Sequence, residues 1–167
     1  LMKKSLLIAL FAIATTTSYA TVLTVSNSPF GGAQYSTLQD AYNAATNGDT
    51  LHVEGTNVPY SINSHWQKSL TVIGIGFNAE KQNSGKTYFY TANTQPGFFV
   101  LGSGSSGSQF HGINFQAPIY VYGSIGASNL LMANCTFFSV FSLVGQSTNG
   151  ITIRNSIFAY TLNCFDI

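Results

Sequence analysis

The chain has 167 residues, enough for one domain with a real core. Apolar residues make up 45% and charged residues only 7%, where an ordinary soluble domain carries about a quarter charged. So little charge excludes a helical bundle, whose outer faces need many Lys and Glu, and 14% aromatics exclude charge-rich disorder.

The stretch from Leu1 to Ala20 reads as a secretory signal peptide. Met2-Lys3-Lys4 is a short positive start, and Ser5 to Ala14 (SLLIALFAIA) is an uncharged apolar run. Ser18-Tyr19-Ala20 places small residues at the two positions a signal peptidase reads, so cleavage is expected after Ala20. The run is shorter than the roughly 20 apolar residues of a membrane span, and no later segment is long and apolar enough to cross. The expected mature chain, residues 21–167, is therefore exported, either secreted or held at the cell surface, and the signal is of a bacterial kind. Without Lys3 and Lys4, four basic residues (Lys68, Lys81, Lys86, Arg154) stand against five acids (Asp40, Asp49, Glu54, Glu80, Asp166), a formal charge of −1. Nothing in that balance attracts nucleic acid.

Val22 to Val25 reads as a first strand, followed by a loop through Ser26-Asn27-Ser28-Pro29 and Gly31-Gly32. Ser36-Thr37-Leu38-Gln39 has the S-x-x-Q form of a capping box. Leu38, Ala41, Tyr42 and Ala45 then fall on one helical face, which predicts a short amphipathic helix over 36–46, ended by Asn47-Gly48. From there the chain turns to short strands: Thr50 to Glu54, Leu70 to Ile75, Tyr88 to Tyr90 and Phe98 to Leu101, the last two after a polar loop over Asn78 to Lys86.

Beyond Ser108 the strands repeat. Ser108 to Phe115, Leu130 to Phe137 and Ile151 to Phe158 align, with Gly112, Asn134 and Asn155 at one position and Phe115, Phe137 and Phe158 at the third place after it. Leu70 to Phe77 fits the same form, with Gly74 and Phe77. The interval from Phe77 to Phe115 is longer than the later ones, so it holds an insertion or nearly two turns. A second strand follows each Phe, at Ile119 to Tyr122 and Phe141 to Val144, and around Leu162. The near-constant interval from Phe115 to Phe137 to Phe158, with two or three strands in each, is one turn of a solenoid, whose stacked turns bury a core no single turn can close. Alternation places Val72, Phe110, Met132 and Ile153 inside and His111 and Arg154 outside, with Ala133 between them. Phe77, Phe115, Phe137 and Phe158 are expected to form an inner aromatic column. Asn134 and Asn155, with Gly74 and Gly112, fit a bend that needs left-handed backbone, where the amides can also bond the next turn.

The stretch from Tyr35 to Ser61 carries Thr37-Leu38-Gln39, Ala41, Ala44-Ala45, Gly48-Asp49-Thr50-Leu51 and Val53. It resembles the N-terminal cap and first turn of pectin-lyase-like right-handed parallel β-helix proteins, and Ser69 to Gly76 resembles their second rung. Gly55 to Tyr60 departs from the family by stretching its G-x-Y spacing. The resemblance is close over these two stretches and holds for the later rungs only by pattern. It implies an all-β, right-handed parallel β-helix with a short N-terminal capping α-helix. It says little of activity, since the family spans lyases, hydrolases, esterases and adhesins. Helix 36–46 would cover the exposed end of the solenoid. No comparable cap appears near Leu162 to Ile167, which suggests a chain truncated at its C-terminal end.

Candidate chemistry is sparse. No two acids occupy equivalent positions on adjacent turns, as glycoside cleavage needs, and His52, His65 and His111 lack metal-ligand spacing. Asp49 reads as a turn residue. No catalytic residue, metal or cofactor is assigned. Gly102 to Gly107 lacks a Lys and a following helix, and is a turn, not a phosphate loop. Cys135 and Cys164 fit a disulfide in an exported protein and fit two buried thiols equally. The candidate ligand-binding residues are Trp66, Tyr120, Tyr122, His111 and Arg154. Tyr120 and Tyr122 alternate with Ile119 and Val121, so if the tyrosines face out they form an aromatic platform; Trp66 sits near inserted loops; aromatic faces suit sugar rings. His111 and Arg154 form a polar track. The expected function is a non-catalytic exported β-helix, glycan-binding or adhesin-like, with a polysaccharide or cell-surface glycan as partner. The alternatives are the N-terminal part of a polysaccharide lyase or hydrolase whose site lies beyond Ile167, and a purely structural repeat.

Overall fold

The computed structural model describes residues 19–62, 65–76, 85–91, 99–122, 127–144, 149–160 and 162–165. Of the expected signal peptide only Tyr19 and Ala20 fall within them. The chain begins with β1 (Val22–Val25) and α1 (Leu38–Ala44). Coils of three short strands follow. The first is β2 (Thr50–Val53), β3 (Tyr60–Ile62) and β4 (His65–Trp66), and the second β5 (Thr71–Ile73), β6 (Tyr88–Thr91) and β7 (Phe99–Leu101). The third is β8 (Gln109–His111), β9 (Asn114–Phe115) and β10 (Ile119–Tyr122). The fourth is β11 (Leu131–Ala133), β12 (Thr136–Phe137) and β13 (Phe141–Val144), and the fifth β14 (Thr152–Arg154), β15 (Ile157–Phe158) and β16 (Leu162–Phe165).

Each strand of a coil pairs with its equivalent in the next coil. The three sheets run β1-β2-β5-β8-β11-β14, β3-β6-β9-β12-β15 and β4-β7-β10-β13-β16, and the pairings between these strands are parallel. The fold is an all-β parallel β-helix with one short α-helix among the described residues. β5 pairs directly with β8, setting Val72 beside Phe110. The long interval is therefore one coil, with its additional chain in the connections on either side of β6.

Alternation along strands this short sends every second side chain inward. Leu23, Leu51, Val72, Phe110 and Met132 are in register and buried, with Ile153 partly buried at the end of the column. The aromatic column of the second sheet is Tyr60, Phe89, Phe115, Phe137 and Phe158. Phe115 and Phe137 stack at 5.5 Å and 7°, and Phe137 and Phe158 at 4.7 Å and 14°. Phe77, which the repeat placed in this column, lies outside the described residues, and Phe89 is the partner of Phe115.

The corners use left-handed backbone. Gly112, Asn134 and Asn155 follow the first-sheet strands with φ of 69°, 55° and 48°. Gly48, Gly107, Asn129 and Gly150 precede strands of the same sheet, again with positive φ. Gly74 is not left-handed, contrary to the sequence reading. A Cβ there would lie 2.7 Å from the Gly112 carbonyl oxygen, so close packing of coils explains this glycine. The bonds across the bend are backbone ones: Gly112 N donates to Ala133 O at 2.9 Å, and Asn134 N to Arg154 O at 3.2 Å. The Asn134 and Asn155 side chains are exposed.

Helix α1 begins one residue later than the expected capping box. Thr37 is its N-cap, with Asp40 N donating to Thr37 Oγ1 at 3.1 Å and the Thr37 hydroxyl donating to Asp40 Oδ2 at 2.6 Å. The third helical residue after this cap is Asp40, whose carboxylate bonds the Thr37 hydroxyl and not the cap's backbone N–H, and it suits the positive end of a helix. Leu38, Ala41 and Tyr42 face the core. Lys68 Nζ closes the other end by donating to the carbonyls of Tyr42, Asn43 and Ala45 at 2.7–3.0 Å. Asp49 is the turn residue the sequence suggested. Buried, it accepts from Thr21 N and Thr46 N, both at 2.7 Å, and from the Thr46 hydroxyl at 2.9 Å.

Two outcomes follow. Phe137→Ala, at a buried column position, should cost about 3–5 kcal/mol, whereas Phe138→Ala, 44% exposed one residue on, should stay within about 0.5 kcal/mol. Urea unfolding of the two variants measures the difference, and equal losses would refute the assigned register. The backbone donors from Thr21 and Thr46 hold the Asp49 carboxyl below its ordinary value of 3.8. Its contribution is complete above that ordinary value and fades as pH falls through the lower native one. Asp49→Asn should therefore destabilise the fold by about 2–3 kcal/mol at pH 7, with a smaller deficit near pH 2 as the wild-type carboxylate is protonated. Thermal melts at both pH values decide it.

Candidate functional site

The five candidate residues do not form one site. Trp66 is a core residue, a correction to its expected place beside a ligand. It is 0% exposed and packs on Tyr42, Phe99 and Phe110 at centroid distances of 4.5–5.7 Å. Its register partner is Leu101, an inward position, while His65 before it is exposed. The indole Nε1 has no hydrogen-bond partner among the described residues, so the apolar ring is what the position uses. A strand of two residues is too short to show which side chain points in.

His111 and Arg154 do share one outer ladder, as expected. It runs Thr24, His52, Ile73, His111, Ala133, Arg154. The basic side chains stand at every second coil, roughly 9–10 Å apart at about 4.8 Å per coil. His111 Nε2 lies 3.2 Å from Gln109 Oε1 on the same strand. Burial, and secondarily the charge of Arg154, pushes the His111 imidazole below its usual 6.5.

Tyr120 lies on a different face. Its neighbours Ile119 and Val121 are buried, which places Tyr120, partly exposed, on the outside of the third sheet. Its ladder is His65, Val100, Tyr120, Ser142 and Asn163. Val100 and Ser142 are only 5% and 2% exposed, so of these three neighbours along the ladder Tyr120 is the one that reaches solvent. Tyr122 belongs to the same strand, but its side chain lies outside the described residues.

Sequence reasoning missed an open cavity of about 500 Å³ between the first turn of α1 and the β2–β3 connection. Leu38, Pro59 and Tyr60 form its apolar lining, with Ser36, Asp40 and Ser61 among the polar groups. These residues come from separate segments, and no spacing along the chain brings them together. Cys135 is a free, buried thiol, pushed up to about 11 by burial, and it donates to the Ala133 carbonyl at 3.3 Å. The Cys164 side chain lies outside the described residues. Among the described residues no cluster of three His, Cys, Asp or Glu is arranged to hold a metal ion, and no helix is long and apolar enough to cross a membrane. Comparisons with family models, curated proteins and solved structures found no match for this chain.

The His111 environment is directly measurable. An NMR titration should place its pKa below the ordinary 6.5, and Arg154→Gln should raise it without restoring the full ordinary value, since burial is the larger cause. No movement on removing Arg154 would show that the two side chains do not sense each other across the ladder.

Proposed function

We propose that the chain is an exported β-helix that binds neutral glycan on its outer surface, either secreted or displayed at the cell, without catalysis by the described coils. The observation that carries the reading is Tyr120, an aromatic side chain on the outside of a parallel sheet, flanked along the ladder by Val100 and Ser142. A sugar ring lies on an aromatic face through its C–H groups. Export is supported by the signal-like pattern from Leu1 to Ala20. Kinship with pectin-lyase-like proteins is part of the proposal. It rests on Thr37-Leu38-Gln39 and Gly48-Asp49-Thr50-Leu51, which here form a helix against the core and the turn into β2.

Affinity electrophoresis of the mature chain in gels containing neutral polysaccharides tests this. Retardation by at least one polymer is expected, and Tyr120→Ala should weaken it by about tenfold while Phe138→Ala leaves it unchanged. Retardation that survives Tyr120→Ala would move the site elsewhere. Absence of retardation on any polysaccharide would leave the purely structural repeat.

A further inference from the structure

We infer that the cavity beside α1 is a second binding site, one that takes a single neutral sugar unit such as the end residue of a glycan; the inference builds on the glycan reading above.

The walls are tied before any ligand arrives. Asn27 joins the chain leaving β1 to the β2–β3 connection by three bonds. Its backbone N–H donates to Tyr60 Oη at 3.3 Å, its Nδ2 donates to Val58 O at 2.9 Å, and its Oδ1 accepts from the Thr56 hydroxyl at 2.6 Å. Tyr60 is further fixed by donating its hydroxyl to Glu54 O at 3.0 Å. The opposite wall is set by the reciprocal bonds of Thr37 and Asp40. A cavity with fixed walls loses little freedom on binding, which lowers the cost of holding a small polar ligand.

The lining selects the chemistry. A volume of about 500 Å³ lies within the usual range of small-molecule sites. Pro59, half-buried, supplies the accessible apolar part of the lining, while Leu38 and Tyr60, 1% and 2% exposed, back it and offer little surface of their own. Around it stand hydroxyls from Ser36 and Ser61 and the Asp40 carboxylate, whose Oδ2 is taken by Thr37. Oδ1 is left to accept from ligand hydroxyls, and hydrogen bonds to a charged acceptor are the stronger kind. The first-turn amide of Asp40 is already used by Thr37 Oγ1. Among the described residues no Lys or Arg lines the cavity, and a carboxylate at its edge repels acidic sugars. The combination of an apolar face, hydroxyls and one acceptor fits a neutral hexose better than an amine, which would leave the hydroxyls and the apolar lining idle.

Saturation-transfer NMR of the full mature chain with neutral methyl hexopyranosides tests the inference, with a methyl uronoside and an amino sugar as comparisons. At least one neutral glycoside should show transfer, and the uronoside none. In a Tyr120→Ala background, which removes the other proposed sugar contact, Ser61→Tyr, which fills the cavity from β3 without touching the helix cap, should abolish the signal. Asp40→Asn, which keeps an oxygen for Thr37, should weaken it by about tenfold. Thermal melting checks that both variants fold. Silence of all neutral glycosides, transfer that persists in Ser61→Tyr in that background, or equal transfer to the uronoside or amino sugar would overturn the site. If polysaccharide retardation through Tyr120 persists in such a case, only the cavity is wrong. If both fail, the glycan reading itself falls.

Discussion

The structure depends on parallel, in-register stacking of one coil on the next. Because every strand meets its equivalent, each inward residue lies on a column of residues of the same kind: Leu23, Leu51, Val72, Phe110 and Met132 on one side, Tyr60, Phe89, Phe115, Phe137 and Phe158 on another. A one-residue slip would turn each apolar set outward. The columns therefore fix the register, and the register in turn fixes what the outside presents. Tyr120 and the His111–Arg154 ladder occupy defined outer positions only because Ile119, Val121, Phe110 and Met132 are held inside.

Stacking has two costs, and particular residues meet them. The chain must bend sharply between sheets, which Gly112, Asn134 and Asn155 permit through left-handed backbone. The first coil must also be covered. α1 does this with Leu38, Ala41 and Tyr42, while Lys68 satisfies the carbonyls at the helix end and Asp49 ties the following turn to Thr21 and Thr46. The charges of Asp49 and Lys68 serve structure, which matters in a chain that has so few.

The repeating part of the fold was readable because its signals recur. Phe115, Phe137 and Phe158 return at a near-constant interval, and Asn134 and Asn155 mark the bend before them. Where recurrence fails, so does legibility. Phe89 sits on an irregular coil, so the sequence offered Phe77 in its place. Trp66 has a strand partner only through β4, whose two residues carry no visible alternation. The helix cap moved by one residue because Thr37 with Asp40 and Ser36 with Gln39 make equally plausible pairs, and tertiary packing decides between them. Of the candidate site, the shared ladder of His111 and Arg154 was legible from alternation alone. The cavity beside α1 was not, since Asn27, Asp40 and Ser61 converge only in three dimensions.

The position of β1 and α1 ahead of the five coils also gives assembly a direction. Each later coil finds its hydrogen-bonding partner in the coil before it, so the covered first coil is a ready template for the second, and the second for the third. A polypeptide that crosses a membrane from its N-terminus would deliver that template before the coils that use it. Coils could then wind on in order of emergence, with only the newest strand edge open to wrong partners at any moment. On this view the helix is the starting point of growth as well as a cover, and a lesion in β1 or α1 would harm the whole rod more than the same lesion in a late coil.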